Sequence, residues 1–202
     1  MSNIRRKSYD RAMDTFHDHH GYMTFGQLKE AGVTIGMIHS LEEMGVLEKI
    51  SRGVYWCRDC GWEKPKDYKY IEAAKVYPKA VFCLESACYL NGLTEKEPEI
   101  LTIATSREDR KIITLPFEFR RFYLQNAGLE GEILQKDTDF GSYRYYGQDR
   151  TICDMIRMQD KIRPDYYIEI RDLYRQEQGM RQQVVFYAEA LRAMRNVEAV
   201  QE

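Results

Sequence analysis

One segment constrains the fold of this chain more than any other: residues 20–57, HGYMTFGQLKEAGVTIGMIHSLEEMGVLEKISRGVYWC. Phe25, Leu28 and Ala31 recur at helical spacing behind Thr24, a good N-cap, and Gly32 suits the C-terminal stop. Thr34 then precedes a second helix whose apolar positions are Ile38, Leu41 and Met44, ended by Gly45. Val46, Leu47 and Ile50 lead into Ser51-Arg52-Gly53 and then Val54-Tyr55-Trp56, two short strands about a glycine-containing tip. Helix, turn, helix and hairpin in this order predict a winged helix-turn-helix, whose second helix can enter a DNA major groove. Arg52 falls at the wing tip, placed to reach a phosphate or the minor groove.

The rest of the chain predicts an α+β protein, a winged helix followed by a mixed domain with a C-terminal helical layer. A first helix over 4–20, with Ile4, Ala12, Met13 and Phe16 as a partial apolar stripe, completes the three-helix core. The polar stretch CRDCGWEKPKD, holding Gly61 and Pro65, reads as a linker. The domains are accordingly placed at 1–62 and 68–202. In the second, helical patterns over 68–76 and 85–92 alternate with strand patterns over 80–84 and 100–105. Aromatic-rich strands are expected at 117–123 and 143–146, with a weaker one at 132–135. Three helices follow, at about 149–160, 165–177 and 181–196, with Pro164 suited to the first turn of the middle one and Gly179 separating the last two.

Composition narrows the function. With 44% hydrophobic and 31% charged residues the chain is ordinary for a globular protein, and a net charge of -2 excludes general polyanion binding. Nucleic-acid affinity has to come from a local patch. Residues 1–66 carry 10 Lys/Arg against 9 Asp/Glu and the remainder 20 against 23, a slight asymmetry in the right direction. The cluster Arg5-Arg6-Lys7 suits either a phosphate-contacting arm or a solvated terminus. No apolar run reaches a membrane span and the start lacks a signal-peptide core, so the expectation is a cytoplasmic protein without a membrane partner.

Cys57-Arg-Asp-Cys60 has metal-ligand spacing, but a structural zinc needs four ligands and no second pair follows. No metal and no cofactor are expected, and the cysteines are read as reduced. Asp165 and Glu169 have a loose likeness to a metal-dependent nuclease signature. Their spacing is short, the lysine is missing and the segment reads as one helix. With no G-x-S-x-G, P-loop or paired-His motif either, the chain is read as a non-enzyme with no catalytic residues.

Three ordered stretches resemble the AbiEi family, antitoxins and transcriptional autoregulators of bacterial type IV toxin–antitoxin systems. The first is Gly21-Tyr-Met-Thr24, Leu28, Gly32-Val-Thr34, Gly45-Val-Leu-Glu-Lys-Ile50 and Ser51-Arg-Gly-Val-Tyr55. The second is Leu84-Glu-Ser-Ala-Cys-Tyr-Leu-Asn-Gly-Leu93 with Ile100-Leu-Thr-Ile103, and the third Asp149-Arg-Thr-Ile-Cys-Asp154. The resemblance implies a winged helix that binds repeats in the operon's own double-stranded promoter DNA and represses it. It also implies a C-terminal domain that neutralises a nucleotidyltransferase-like toxin without a stable complex, in the setting of abortive infection and phage defence.

The chain departs from a strong DNA reader in one respect, since its second helix has no Arg or Lys. The groove-facing candidates are Thr34, Gly36, Met37, His39 and Ser40, which can hydrogen-bond or touch a thymine methyl but cannot read guanine bidentately. Phosphate contacts are assigned to Lys49, Arg52, Arg58, Lys29 and the N-terminal arm, and Ser51 is placed with them on the DNA-binding surface. The expected mode is a monomer of modest affinity that binds adjacent half-sites cooperatively. The alternatives are a winged helix used for protein contacts and a stand-alone regulator without a toxin.

Overall fold

The computed structural model describes residues 3–124, 131–176 and 181–201, with side chains from 9 to 200 within those ranges. The side chains of Arg5, Arg6 and Lys7 and the whole of Gly179 therefore lie outside the described residues. The fold is α+β and divides into two compact units. The first takes in Met1–Pro78, Ile112–Pro116 and Asp137–Ser142, the second Lys79–Lys111, Phe117–Lys136 and Tyr143–Glu202.

The first unit runs α1 (Asn3–Asp18), β1 (Tyr22–Thr24), α2 (Phe25–Glu30), α3 (Ile35–Glu43), β2 (Leu47–Ser51), β3 (Val54–Cys57) and α4 (Tyr68–Val76). The strands form one antiparallel sheet in the order β1-β3-β2. All four residues of the central strand are buried, so both faces of the sheet are covered. Tyr55 and Cys57 join Phe16, Leu28, Ile38 and Leu41 in the core under the helices. Trp56 packs with Tyr22 and Phe140, at ring distances of 4.5 and 6.4 Å.

A polar network ties α4 to this sheet. Glu72, fully buried, accepts hydrogen bonds from the Tyr22 hydroxyl (2.9 Å) and lies 2.9 Å from Lys64 Nζ. Lys64 also reaches Glu48 at 2.7 Å, and Glu48 pairs with Arg58 at 3.2 Å. Burial pushes the Glu72 carboxyl above the usual carboxylate range, and the Lys64 and Tyr22 hydrogen bonds work against that rise. The stretch expected as a plain linker is thus pinned by side chains, with Trp62 Nε1 donating to the His17 carbonyl at 2.9 Å.

Strand β1 was not expected from the sequence. It forms because Gly21, at φ +80, brings the chain under the Trp56 ring, and Tyr22 then pairs with Trp56. Three residues are too few for an alternating pattern to be visible beforehand.

The second unit is built on a five-stranded sheet, order β6-β5-β4-β8-β7. Its strands are β4 (Val81–Phe82), β5 (Leu101–Ser106), β6 (Phe119–Leu124), β7 (Ile133–Thr138) and β8 (Gly141–Tyr146). Strand β4 pairs antiparallel with β5 and parallel with β8, and β5 pairs parallel with β6. The helices are α5 (Leu84–Leu90), α6 (Gln148–Arg157), α7 (Pro164–Arg175), α8 (Gln182–Ala190) and α9 (Met194–Gln201), with a 3-10 turn at Gln159–Lys161. Helix α6 packs against α5, α7, α8 and α9. Cys83, Cys88, Ile152, Met155, Ile170, Tyr174, Val184 and Val197 fill the core between them.

Here one expectation is corrected: 181–196 is two helices, not one. The chain turns at Arg192 (φ +57), and Ala193 N–H donates to the Ala188 carbonyl at 2.7 Å. The sequence between them holds neither Gly nor Pro. The break lets Ala193 and Val197 bury fully, a case of tertiary packing overriding local propensity.

The second and third of the stretches singled out in the sequence clamp one another. Asn91 Nδ2 donates to the Tyr146 carbonyl (2.9 Å) and lies 3.4 Å from Thr151 Oγ1, joining 84–93 to 149–154. Thr102 N–H donates to Ser86 Oγ at 2.8 Å, while Ser86 N–H donates to Thr102 Oγ1 at 3.1 Å, joining 84–93 to 100–103.

Candidate nucleic-acid interface

The helix-turn-helix is set by its caps. Thr24 Oγ1 accepts from Gln27 N–H (3.3 Å) and Gln27 Oε1 accepts from Thr24 N–H (2.7 Å), a full capping box. Gly32 and Gly45 sit in the left-handed region, at φ +78 and +74, and end the two helices. Thr24→Ala is expected to lower stability by about 1 kcal/mol, read as a lower urea midpoint, because Gln27 N–H loses the Thr24 hydroxyl as its acceptor.

Thr34 Oγ1 accepts from Met37 N–H at 3.3 Å and so caps α3 while its own hydroxyl hydrogen stays available to a ligand. Ile38 and Leu41 are buried, which turns Thr34, Ile35, Gly36, His39, Ser40 and Glu43 outward. Met37 is half-buried. Thr34, Gly36, Met37 and Ser40 line one groove together with Tyr9 of α1 and Met44. His39 stands apart from that groove, with Nδ1 3.3 Å from Glu42 Oε2. Ser40 Oγ donates to the Gly36 carbonyl at 3.0 Å, leaving its lone pairs for an incoming donor.

The wing is short and anchored. Ser51 pairs with Val54 across a two-residue tip in which Gly53 has φ +79. Phe25 N–H, at the start of α2, donates to the Gly53 carbonyl at 2.8 Å, so the tip is tied to the helix-turn-helix. Lys49 and Arg52 are exposed on this hairpin, and Lys29 is exposed near the end of α2. Arg58 is not open in the same way, since its guanidinium holds Glu48.

Two features of the surface escape a sequence reading. Met44, an apolar position of the expected second helix, is 53% exposed, because the helix ends at Glu43 and Met44 is its C-cap. Ile35 is 59% exposed at the first helical position. The outward face of α3 is therefore hydroxyl, imidazole, apolar and acidic, with no Lys or Arg on the helix. Such a face suits thymine-methyl and hydroxyl contacts more than guanine readout. The Thr34 N-cap followed by an apolar residue was the available signal for Ile35. Nothing local marks Tyr9.

Cys57 and Cys60 are buried; Cys60 Sγ donates to the Cys57 carbonyl at 3.4 Å and Cys57 Sγ lies 3.7 Å from Met13 Sδ. Among the described residues no three His, Cys, Asp or Glu side chains are grouped to hold a metal ion. Asp165 and Glu169 are taken up by cations: Asp165 pairs with Arg163 at 3.1 Å and Glu169 with Lys96 at 3.0 Å. No helix among the described residues is long and apolar enough to cross a membrane.

Residues 10–55 match a family model described as "Transcriptional regulator, AbiEi antitoxin". The matched stretch spans the helix-turn-helix and both strands of the wing except the last residues of β3. No curated protein matches the chain. Among solved structures, the RV2827C protein from Mycobacterium tuberculosis is similar at 12% identity, with a TM-score of 0.59, over 96% of this chain and 80% of that one. At that identity the likeness is one of fold.

Proposed function

We propose that this chain is a DNA-binding antitoxin and autorepressor of a type IV toxin–antitoxin operon. The match of residues 10–55 to AbiEi transcriptional regulators carries the proposal. The capped helix-turn-helix with Thr34, Gly36, His39 and Ser40 turned outward, Met37 half-buried among them, and an exposed Arg52 supports it. In this reading residues 1–62 hold the DNA surface, with Lys49 and Arg52 on phosphates and Ser51 beside them on the hairpin. Residues 68–202 neutralise a nucleotidyltransferase-like toxin without forming a stable complex. The protein acts in the cytoplasm as a monomer that binds promoter repeats cooperatively, and it performs no catalysis.

The test is fluorescence anisotropy with the duplex upstream of the gene against a scrambled duplex, at two salt concentrations. Arg52→Ala is expected to weaken binding to both duplexes by about five- to tenfold and to reduce the salt slope by about one. Changes at Thr34, His39 or Ser40 are expected to alter the preference between duplexes instead. An Arg52→Ala protein with unchanged affinity rules out a wing contact.

The α3 face without Lys or Arg, with exposed Ile35 and Met44, favours one second reading, a winged helix used for protein contacts. Salt-insensitive capture of a partner protein, with no preference for the upstream duplex, supports that reading over the first.

A further inference from the structure

The second unit contains a small cavity of about 130 Å³ that the DNA reading does not use. Its walls include Glu85, Thr102, Arg120, Arg163, Ile100 and Tyr166. Glu85 is 4% exposed; its Oε1 accepts a hydrogen bond from Arg163 N–H (3.3 Å), and its Oε2 is buried with no hydrogen-bond partner. An unsatisfied buried carboxylate oxygen is costly, and in a native protein it calls for a donor.

The two arginines of the cavity do not supply that donor. Arg120 Nη1 donates to the Lys161 carbonyl at 2.6 Å, and Arg163 donates through Nε and Nη2 to Asp165 at 3.1 Å. Each guanidinium has five N–H groups, so both retain donors beyond these bonds. Burial, the largest effect, pushes the Glu85 carboxyl up; the backbone N–H groups of Glu85 and Arg163, and after them the two guanidiniums, draw it down. The cavity thus presents a lone carboxylate oxygen at its wall and guanidinium donors beside it.

The backbone holds Glu85 in place at some cost. Leu84, buried and immediately before it, has φ +46, a region that a leucine rarely adopts. The elbow is clamped by Thr102, which exchanges hydrogen bonds with Ser86 and itself lines the cavity. Strain of this kind persists where the surroundings over-determine it, commonly at ligand sites.

We propose that this cavity binds a small zwitterion, an α-amino acid, with its ammonium on Glu85 and its carboxylate on Arg120 and Arg163. Ile100 and Tyr166 form the apolar wall for a small side chain. The cavity is too small for a nucleotide or a folded peptide. A simple anion would leave Glu85 Oε2 without a donor, and a simple cation would stand against two guanidiniums.

Isothermal titration of the full chain with L-alanine tests this, with acetate and ethylammonium as single-charge probes. L-alanine is expected to bind saturably and more tightly than either probe. Glu85→Gln and Arg163→Ala are each expected to weaken it about tenfold or more, since each removes a charge-assisted hydrogen bond. Arg163 is exposed, so its variant reports on binding even if Glu85→Gln disturbs folding. Absence of saturable L-alanine binding overturns the proposal. So does acetate binding as tight as that of L-alanine, which marks a plain anion site, or L-alanine affinity unchanged in Arg163→Ala.

Discussion

Replacing Asp154 by alanine is expected to destabilise the second unit by about 3–5 kcal/mol, the usual cost of breaking a buried ion pair by removing one partner. Arg150 is 1% exposed and donates through Nε to Asp154 Oδ2 at 2.9 Å, while Arg157 Nη2 reaches Asp154 Oδ1 at 2.8 Å. Arg150 also lies over the Tyr146 ring, 4.5 Å from its centroid, with Tyr187 at 5.7 Å. Without the carboxylate, buried Arg150 loses its ion-pair partner and Arg157 loses the same acceptor. The check is urea denaturation followed by circular dichroism. A double variant with Arg150→Met and Asp154→Leu is expected to recover much of the loss, because removing both partners is far less costly than removing one. A loss below about 1 kcal/mol for Asp154→Ala means that other partners or water satisfy Arg150.

Gly21→Ala is the second large effect, expected at about 2–4 kcal/mol in the first unit. A β-carbon there stands 2.4 Å from Trp56 Cζ3 and 2.7 Å from Cη2, and the ring is backed by Tyr22 and Phe140. Gly21 also has φ +80, which penalises any side chain. Gly32→Ala isolates the second term: its φ is +78, but an added β-carbon meets nothing within 4 Å. Its expected cost is about 1 kcal/mol. Thermal denaturation of both variants separates the contributions. Equal losses mean that the Trp56 ring yields.

Sequence legibility follows the range of the interactions concerned. Thr24, Gly32, Thr34 and Gly45 were readable as helix boundaries because a cap or a left-handed stop acts within four residues. The hairpin about Arg52-Gly53 was readable for the same reason. The candidate interface was legible as a set of positions on α3 and the wing. Its chemical character was less so, since the exposure of Met44 depends on where the last helical turn stops. Arg58, assigned to phosphate, proved to be engaged by Glu48, a partner ten residues away on the neighbouring strand.

By itself, the sequence determined the winged helix-turn-helix and the positions of the second unit's elements, because these rest on local periodicity, caps and glycine stops. Only the tertiary structure decided the third strand at Tyr22–Thr24, the break at Arg192 and the burial of Glu72, Glu85 and Arg150. Each of those depends on partners distant in sequence, such as Tyr22 and Glu72 fifty positions apart or Arg163 and Glu85 seventy-eight apart. A charged residue in a linear pattern looks solvated until the fold supplies what surrounds it, and that environment sets whether it is a surface charge, a clamp or a binding group.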